Sequence, residues 1–216
     1  MPSLEYVAVI LGAYVLGSVP TGAIVARVYR NVDLTKLGSE RTGATNTARA
    51  LGPGAGLIVL VGDFAKGALA VWFAREAIGT DVAAGIAGFF AVVGHTRSLF
   101  LAGRGGRGVG TGLGGLAIAS TGIFIIAALT GCIVSAVSRY ISLGSITGSA
   151  AATLAAVVAF AAGMVSAPLA VYIVATALFI IAAHADNIAR LRAGTERRVG
   201  ARVPSARGPS QRPGQP

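Results

Sequence analysis

Residues able to do chemistry gather in three short stretches of this chain, Gly38–Arg49, Gly94–Thr111 and His184–Glu196, within a sequence that is otherwise largely apolar. The first stretch offers the hydroxyls of Ser39 and Thr45, the amide of Asn46 and the guanidinium of Arg49 among flexible glycines. Exposed backbone N–H groups and a planar guanidinium suit a phosphate oxyanion. A solvated loop with a helix cap has the same composition. The second stretch begins at Gly94-His95 and ends in Arg-Gly-Gly-Arg-Gly-Val-Gly-Thr over residues 104–111. Gly105, Gly106 and Gly108 beside Arg104 and Arg107, at the start of an apolar helix, combine backbone donors with a helix dipole that favours an anion. A basic loop against lipid headgroups is the alternative. It is not a Walker loop, whose spacing and lysine differ. In the third stretch a helix puts His184, Asn187 and Arg190 on one face. That is the pattern of a site, or of an interfacial helix end with a snorkelling arginine.

Asp63 and Lys66 lie three residues apart inside an apolar segment. Intramembrane charge is costly, so the pair reads first as structural, each neutralising the other, with a proton or ion relay as the sharper alternative. Two histidines and one cysteine, widely separated, match no metal-ligand spacing. No Gly-x-Ser-x-Gly elbow supports a serine triad.

The elements that must position these residues are membrane helices. Only 12% of the residues are charged, about half the share of a soluble domain, and the mean hydropathy is +0.74. The formal charge of +10 would suggest nucleic acid in a soluble protein. Here the basic residues lie between apolar segments, which points to membrane topology and anionic lipid, and no aromatic-plus-basic tract of RNA-binding type accompanies them. Spans of roughly 20 apolar residues are expected at Leu4–Val28, Gly54–Ile78, Val82–Ala102, Leu143–Ala162 and Ala167–Ala185. The first lacks a charged leader region and reads as a retained helix. Val109–Val137 is long enough for one span or two short ones. If it turns near Ser120-Thr121-Gly122, then Arg27, Arg30, Lys36, Arg41, Arg49, Arg104, Arg107, Arg139, Arg190 and Arg192 all fall on one side, as the positive-inside rule asks. The expected fold is therefore an all-α polytopic bundle of about seven membrane segments, with the N-terminus outside and the C-terminus cytoplasmic. Val109–Ala119 is too short to span alone and needs protein or water over its ends. Cys132, in an apolar run, reads as a small core residue. Residues 1–200 read as one membrane-integral domain, and the Pro-rich basic stretch 201–216 as a disordered tail.

Taken together, the three stretches resemble the bacterial membrane acyltransferases that use acyl phosphate to acylate glycerol 3-phosphate. Members of that family carry Gly-Ser-Gly-Asn-x-Gly-Ala-Thr-Asn-x-x-Arg, which here reads GSERTGATNTAR over Gly38–Arg49. They carry Gly-His and then Lys-Gly-Gly-Lys-Gly-Val-Ala-Thr, here Gly94-His95 and RGGRGVGT over Arg104–Thr111. They carry His-x-x-Asn-Ile-x-Arg-Leu-x-x-Gly-Thr-Glu, here HADNIARLRAGTE over His184–Glu196. Weaker matches are Gly17-Ser18-Val19-Pro20, Asp63-x-x-Lys66-Gly67 and Arg139-Tyr140-Ile141-Ser142. The departures are Glu40-Arg41 for Gly-Asn, Arg104 and Arg107 for two lysines, and Arg97-Ser98 for Phe-Pro.

The resemblance implies a bundle of seven membrane helices in a bacterial plasma membrane, its active site facing the cytoplasm. It implies transfer of a fatty acyl group from acyl phosphate to glycerol 3-phosphate, giving 1-acylglycerol 3-phosphate and phosphate, with no cofactor, metal or nucleic acid. Ser39, Thr45, Asn46 and Arg49 would bind phosphate and orient glycerol 3-phosphate. The loop Arg104, Gly105, Gly106, Arg107, Gly108 would hold the acyl phosphate head. His184 and Asn187 would complete the site, with Ser142 nearby, His95 as a ligand or proton acceptor, and Asp63, Lys66 and Glu196 structural. The acyl chain would enter from the lipid between helices. Soluble-domain glycerolipid acyltransferases typically use a His-x4-Asp dyad, and neither His95 nor His184 has an aspartate five residues on. A small transporter of phosphorylated solutes, which would show repeated halves with broken helices, and an inactive relative carrying Glu40-Arg41 are the rival readings.

Overall fold

A computed structural model describes residues 2–200; the stretch 201–216, read above as a disordered tail, lies outside the described residues. The described residues are helical, without strands: α1 (Pro2–Ser18), α2 (Thr21–Arg30), α3 (Ala44–Leu51), α4 (Pro53–Ile78), α5 (Asp81–Thr96), α6 (Val109–Ala119), α7 (Thr121–Ser138), α8 (Ile141–Ala161), α9 (Ala167–Ala182) and α10 (Ala185–Arg192). Five spans are long and apolar enough to cross a membrane, and α9 with α10, bent by 55°, meets the same test when the two are taken together. In the first, Leu4–Arg30, α1 and α2 follow each other.

The expected first helix is thus broken at Val19-Pro20, because proline cannot donate to the preceding turn. A break inside a bilayer must have its carbonyls satisfied by protein. Ser98 Oγ donates to the Ser18 carbonyl at 2.6 Å and Lys66 Nζ donates to the Val19 carbonyl at 3.0 Å. Lys66 also contacts Asp63 at 2.9 Å. The buried Asp63–Lys66 pair therefore has a structural task, which is to hold the α1/α2 break against α4.

The long apolar run 109–137 splits at Ser120, as the arginine pattern asked. At about 1.5 Å per residue α6 is far shorter than a bilayer core of roughly 30 Å, and its carboxyl end is closed by α4. Arg75 donates to the Ala119 carbonyl at 3.1 Å and to that of Ile118. Asp81 lies 3.8 Å from Arg75 and accepts from Ser166 at 2.6 Å. α6 packs tightly on α4: a Cβ on Gly114 would strike the Phe64 carbonyl, and one on Gly67 the Thr111 carbonyl. Small residues of this kind let membrane helices approach closely. α1 packs on α5, α7 on α8, and α8 on α9. Cys132 is exposed on α7, contrary to the core position read from its apolar neighbours.

Candidate active site

All three polar stretches meet at one end of the bundle, around a cavity of about 1370 Å³. Its polar wall includes Ser39, Arg41, Thr45, Arg49, His95, Gly106, Arg107, Gly108, Ser142, His184, Asn187 and Glu196. Pro53, Leu57, Leu60 and Ile141 make an apolar side. Leu57 and Leu60 are exposed, so this side is continuous with the lipid-facing surface of α4. Arg139 belongs to the same end, since its carbonyl accepts from Val199 N at 2.7 Å.

The first stretch forms the loop before α3 and is held by Asn46. Asn46 Oδ1 accepts from Ser39 N at 3.1 Å, and its Nδ2 donates to the carbonyls of Leu37 (2.9 Å) and Arg41 (2.8 Å). The amide expected to bind substrate is thus occupied in shaping the loop that presents Ser39. Thr45, Asn46 and Arg49 all line the cavity, with Arg49 Nη2 donating to the Arg197 carbonyl at 3.3 Å. Glu40 has φ +57°, in the left-handed region that favours glycine, and its side chain is exposed and off the cavity wall. Glutamate there costs on the order of 1 kcal/mol of backbone strain, while Arg41 adds a cation to the wall.

The second stretch wraps over the end of α5. Gly106 N donates to the His95 carbonyl at 3.2 Å, and a Cβ on Gly106 would collide with His95 Nε2. Glycine is required there because the loop backbone lies directly on the imidazole. Gly105 is buried against the His95 carbonyl and does not line the cavity. Gly108, at φ +85°, turns the chain into α6, whose first residues Val109 and Gly110 face the cavity. The two arginines separate. Arg107 is half-buried on the wall, whereas Arg104 is exposed and lies outside it. Bonds from the Thr35 hydroxyl and amide hold the Asp33 carboxyl below the usual carboxylate range, and the charges of Lys36 and Arg104 add to this. On the same wall, His95 Nδ1 lies 3.4 Å from Asp63 Oδ1, so the Asp63–Lys66 pair also holds the imidazole.

The third stretch turns at the α9/α10 bend. His184 Nδ1 donates to the Ile180 carbonyl at 2.8 Å. A carbonyl only accepts, so in the neutral ring Nε2 carries the lone pair. Glu196 is the hub of this region. Its Oε1 accepts from Ser142 Oγ (3.1 Å) and Asn187 Nδ2 (2.9 Å), and its Oε2 from Arg190 Nε (2.7 Å). Burial pushes the Glu196 carboxyl up, but these three donors together hold it below its usual range. Ser142 and Asn187 are therefore fixed by Glu196, with Asn187 Oδ1 buried and without a partner among the described residues. Asp186, to which the sequence alone assigns no role, accepts from Arg107 Nη2 at 2.7 Å and Arg190 Nη2 at 3.2 Å.

Four arginines on the wall (Arg30, Arg41, Arg49 and Arg107) face only two lining carboxylates, Asp63 and Glu196, both of which already have cationic partners. The excess positive charge, the amino end of α6 and the uncovered glycine backbone suit a polyanion. Among the described residues no group of three or more metal-ligating side chains occurs.

The family model for glycerol-3-phosphate acyltransferases matches residues 7–194. This chain belongs to the glycerol-3-phosphate acyltransferase family. It is similar to a glycerol-3-phosphate acyltransferase of Thermus thermophilus, with 44% identity over 198 residues covering 90% of this chain and 95% of that one. It is similar to that of Carboxydothermus hydrogenoformans, at 40% identity covering 88% of this chain and 94% of that one. Among solved structures it resembles PlsY, an integral membrane glycerol 3-phosphate acyltransferase. The TM-score is 0.83 to the glycerol 3-phosphate form, with 34% identity over 90% of this chain and 96% of that one. To the lysophosphatidic acid form it is 0.81, with 33% identity over 91% and 96%. The chain is thus an integral membrane acyltransferase, and the transporter reading is set aside.

Proposed function

We propose that this acyltransferase moves a fatty acyl group from acyl phosphate to a hydroxyl of glycerol 3-phosphate, at the cytoplasmic face of a bacterial plasma membrane. Residues 1–200 act as one catalytic domain. The observation that carries the reading is a single cavity with a cationic, N–H-rich end and an apolar side that opens along α4. Such a cavity can take two phosphates at one end and an acyl chain along the other.

The chemistry matches that inventory. An acyl phosphate is a mixed anhydride with a good leaving group. The glycerol hydroxyl oxygen bonds to the acyl carbon, the bond from that carbon to the phosphate oxygen breaks, and the hydroxyl proton ends on the released phosphate. The protein's task is to hold two mutually repelling anions in line and to stabilise the oxyanion that develops. Arg107, the glycine backbone and the α6 amino end take the acyl phosphate head. Ser39, Thr45, Arg41 and Arg49 take glycerol 3-phosphate. The Nε2 lone pair of His184 accepts a hydrogen bond from the attacking hydroxyl and so orients it.

Purified protein in detergent, given acyl phosphate and glycerol 3-phosphate, is expected to release inorganic phosphate and form 1-acylglycerol 3-phosphate. Acyl-CoA should be a poor donor. Efficient use of acyl-CoA without acyl phosphate would reject the proposed donor, and no product from either would favour an inactive relative. Orientation is tested in a Cys132→Ser background. A cysteine at Arg139 should be labelled from the cytoplasm and one at Met164 from outside; the reverse pattern would invert the topology.

A further inference from the structure

We propose that Asp186 is a positioning residue that aims the Arg107 guanidinium at the phosphate of the acyl donor; the inference rests on the acyl-transfer reading above. Asp186 Oδ2 accepts from Arg107 Nη2 at 2.7 Å across 79 residues of sequence, and from Arg190 Nη2 at 3.2 Å within α10. Arg107 lines the cavity, yet its Nε is buried with no partner among the described residues. One nitrogen is therefore anchored on Asp186, while the guanidinium as a whole keeps part of its surface, 16% of the side chain, open on the cavity wall.

A guanidinium is a planar fork, and its bonds to phosphate depend on the direction of the plane. An ammonium is a rotating point charge that needs no such aim. A chain with arginine at this position therefore needs something to set the plane, and Asp186 is the group that grips it. Arg41 and Arg190 are near enough to repel Arg107, and the Asp186 carboxylate offsets that repulsion. Electrostatics alone gives the opposite expectation. A carboxylate beside a site for two anions should weaken their binding, so its removal should help. The two accounts differ in sign.

The test is steady-state kinetics of full-length protein in detergent, with acyl phosphate and glycerol 3-phosphate varied separately. Asp186→Ala is expected to raise KM for acyl phosphate about 10-fold, and Asp186→Asn, which keeps an oxygen at the same reach, about 3-fold. The KM for glycerol 3-phosphate should change less. In an Arg107→Lys background, where there is no plane to aim, Asp186→Ala should change KM for acyl phosphate by less than about 2-fold. An unchanged or lowered KM in Asp186→Ala overturns the proposal. So does an equal rise in both backgrounds, which would place the effect in the Arg190–Glu196 scaffold. If Asp186→Ala does not fold, Asp186→Asn in the two backgrounds makes the same comparison. A wild-type protein that releases no phosphate overturns the acyl-transfer reading instead. In that case protection from thermal unfolding by inorganic phosphate decides the positioning. It should be lost on Asp186→Ala only when residue 107 is arginine, and any other pattern rejects the proposal.

Discussion

Arg107→Ala should lower kcat/KM by about 10²- to 10⁴-fold, while Arg104→Ala should stay within about 3-fold of wild type. The first figure follows from bonds to a buried dianion. A charge-assisted hydrogen bond contributes roughly 1.5–3 kcal/mol, and a guanidinium that forks onto phosphate makes two of them. Arg107 is largely covered on the cavity wall, whereas Arg104 is exposed and lies outside it. Arg107→Lys keeps the charge but loses one bond, so a fall of about 10- to 150-fold is expected. Steady-state kinetics of the three variants against wild type provides the check. Unchanged kinetics in Arg107→Ala would remove the loop from the site and return it to a basic, headgroup-facing role. Equal losses at both positions would mean that the loop acts through its overall positive field rather than through one fork.

The separation of Arg104 from Arg107 shows where the sequence stops being informative. Both flank the same glycines, and composition gives them the same role. Which of them turns inward is set by how Gly105 and Gly106 lie on His95, a contact of backbone with an α5 side chain that no local pattern records. Asn46 is a similar case. Its residue type fits a ligand, but the Leu37 and Arg41 carbonyls and the Ser39 amide take its hydrogen-bonding groups. Helices apolar all round carry no face information, so Asp63 and Lys66 are legible as a pair, while the third partner, His95, is not. Asp186 lies within a motif yet carries no signal of its own, because its meaning lies in an arginine 79 residues away. Charge placement does better. The arginines ask for a turn within the apolar run 109–137, because crossing a bilayer with guanidinium groups costs far more than breaking one apolar run, and Ser120-Thr121-Gly122 offers the place for it. They also put Arg139 with the tail, where the Val199–Arg139 bond lies.

Glu196→Ala should destabilise the protein by about 3 kcal/mol and also reduce activity, because a nearly inaccessible carboxylate there satisfies three donors. Its removal leaves the buried Ser142 and Asn187 side chains without their shared acceptor and frees α10 from the start of α8. Arg190 is about one-third exposed and can turn to water, which keeps the figure at the low end for a broken buried ion pair. Glu196→Gln separates charge from shape. Its oxygen can still accept from Ser142 and Asn187, but its amide nitrogen would face the Arg190 Nε–H, so an intermediate loss is expected. The pH dependence distinguishes this from simple packing. The folded protein holds the Glu196 carboxyl below the unfolded value of 4.5. Below 4.5 the unfolded chain therefore binds a proton that the folded chain still excludes, and stability falls with pH until the folded carboxyl is also protonated. Above 4.5 the contribution is present in full. Thermal unfolding in detergent should thus show the largest gap between wild type and Glu196→Gln near neutral pH, narrowing as the pH drops through and below 4.5. A gap of constant size across that range would show that the ionised carboxylate is not what ties α8, α10 and the segment after α10 together, and that Glu196 acts there through shape alone.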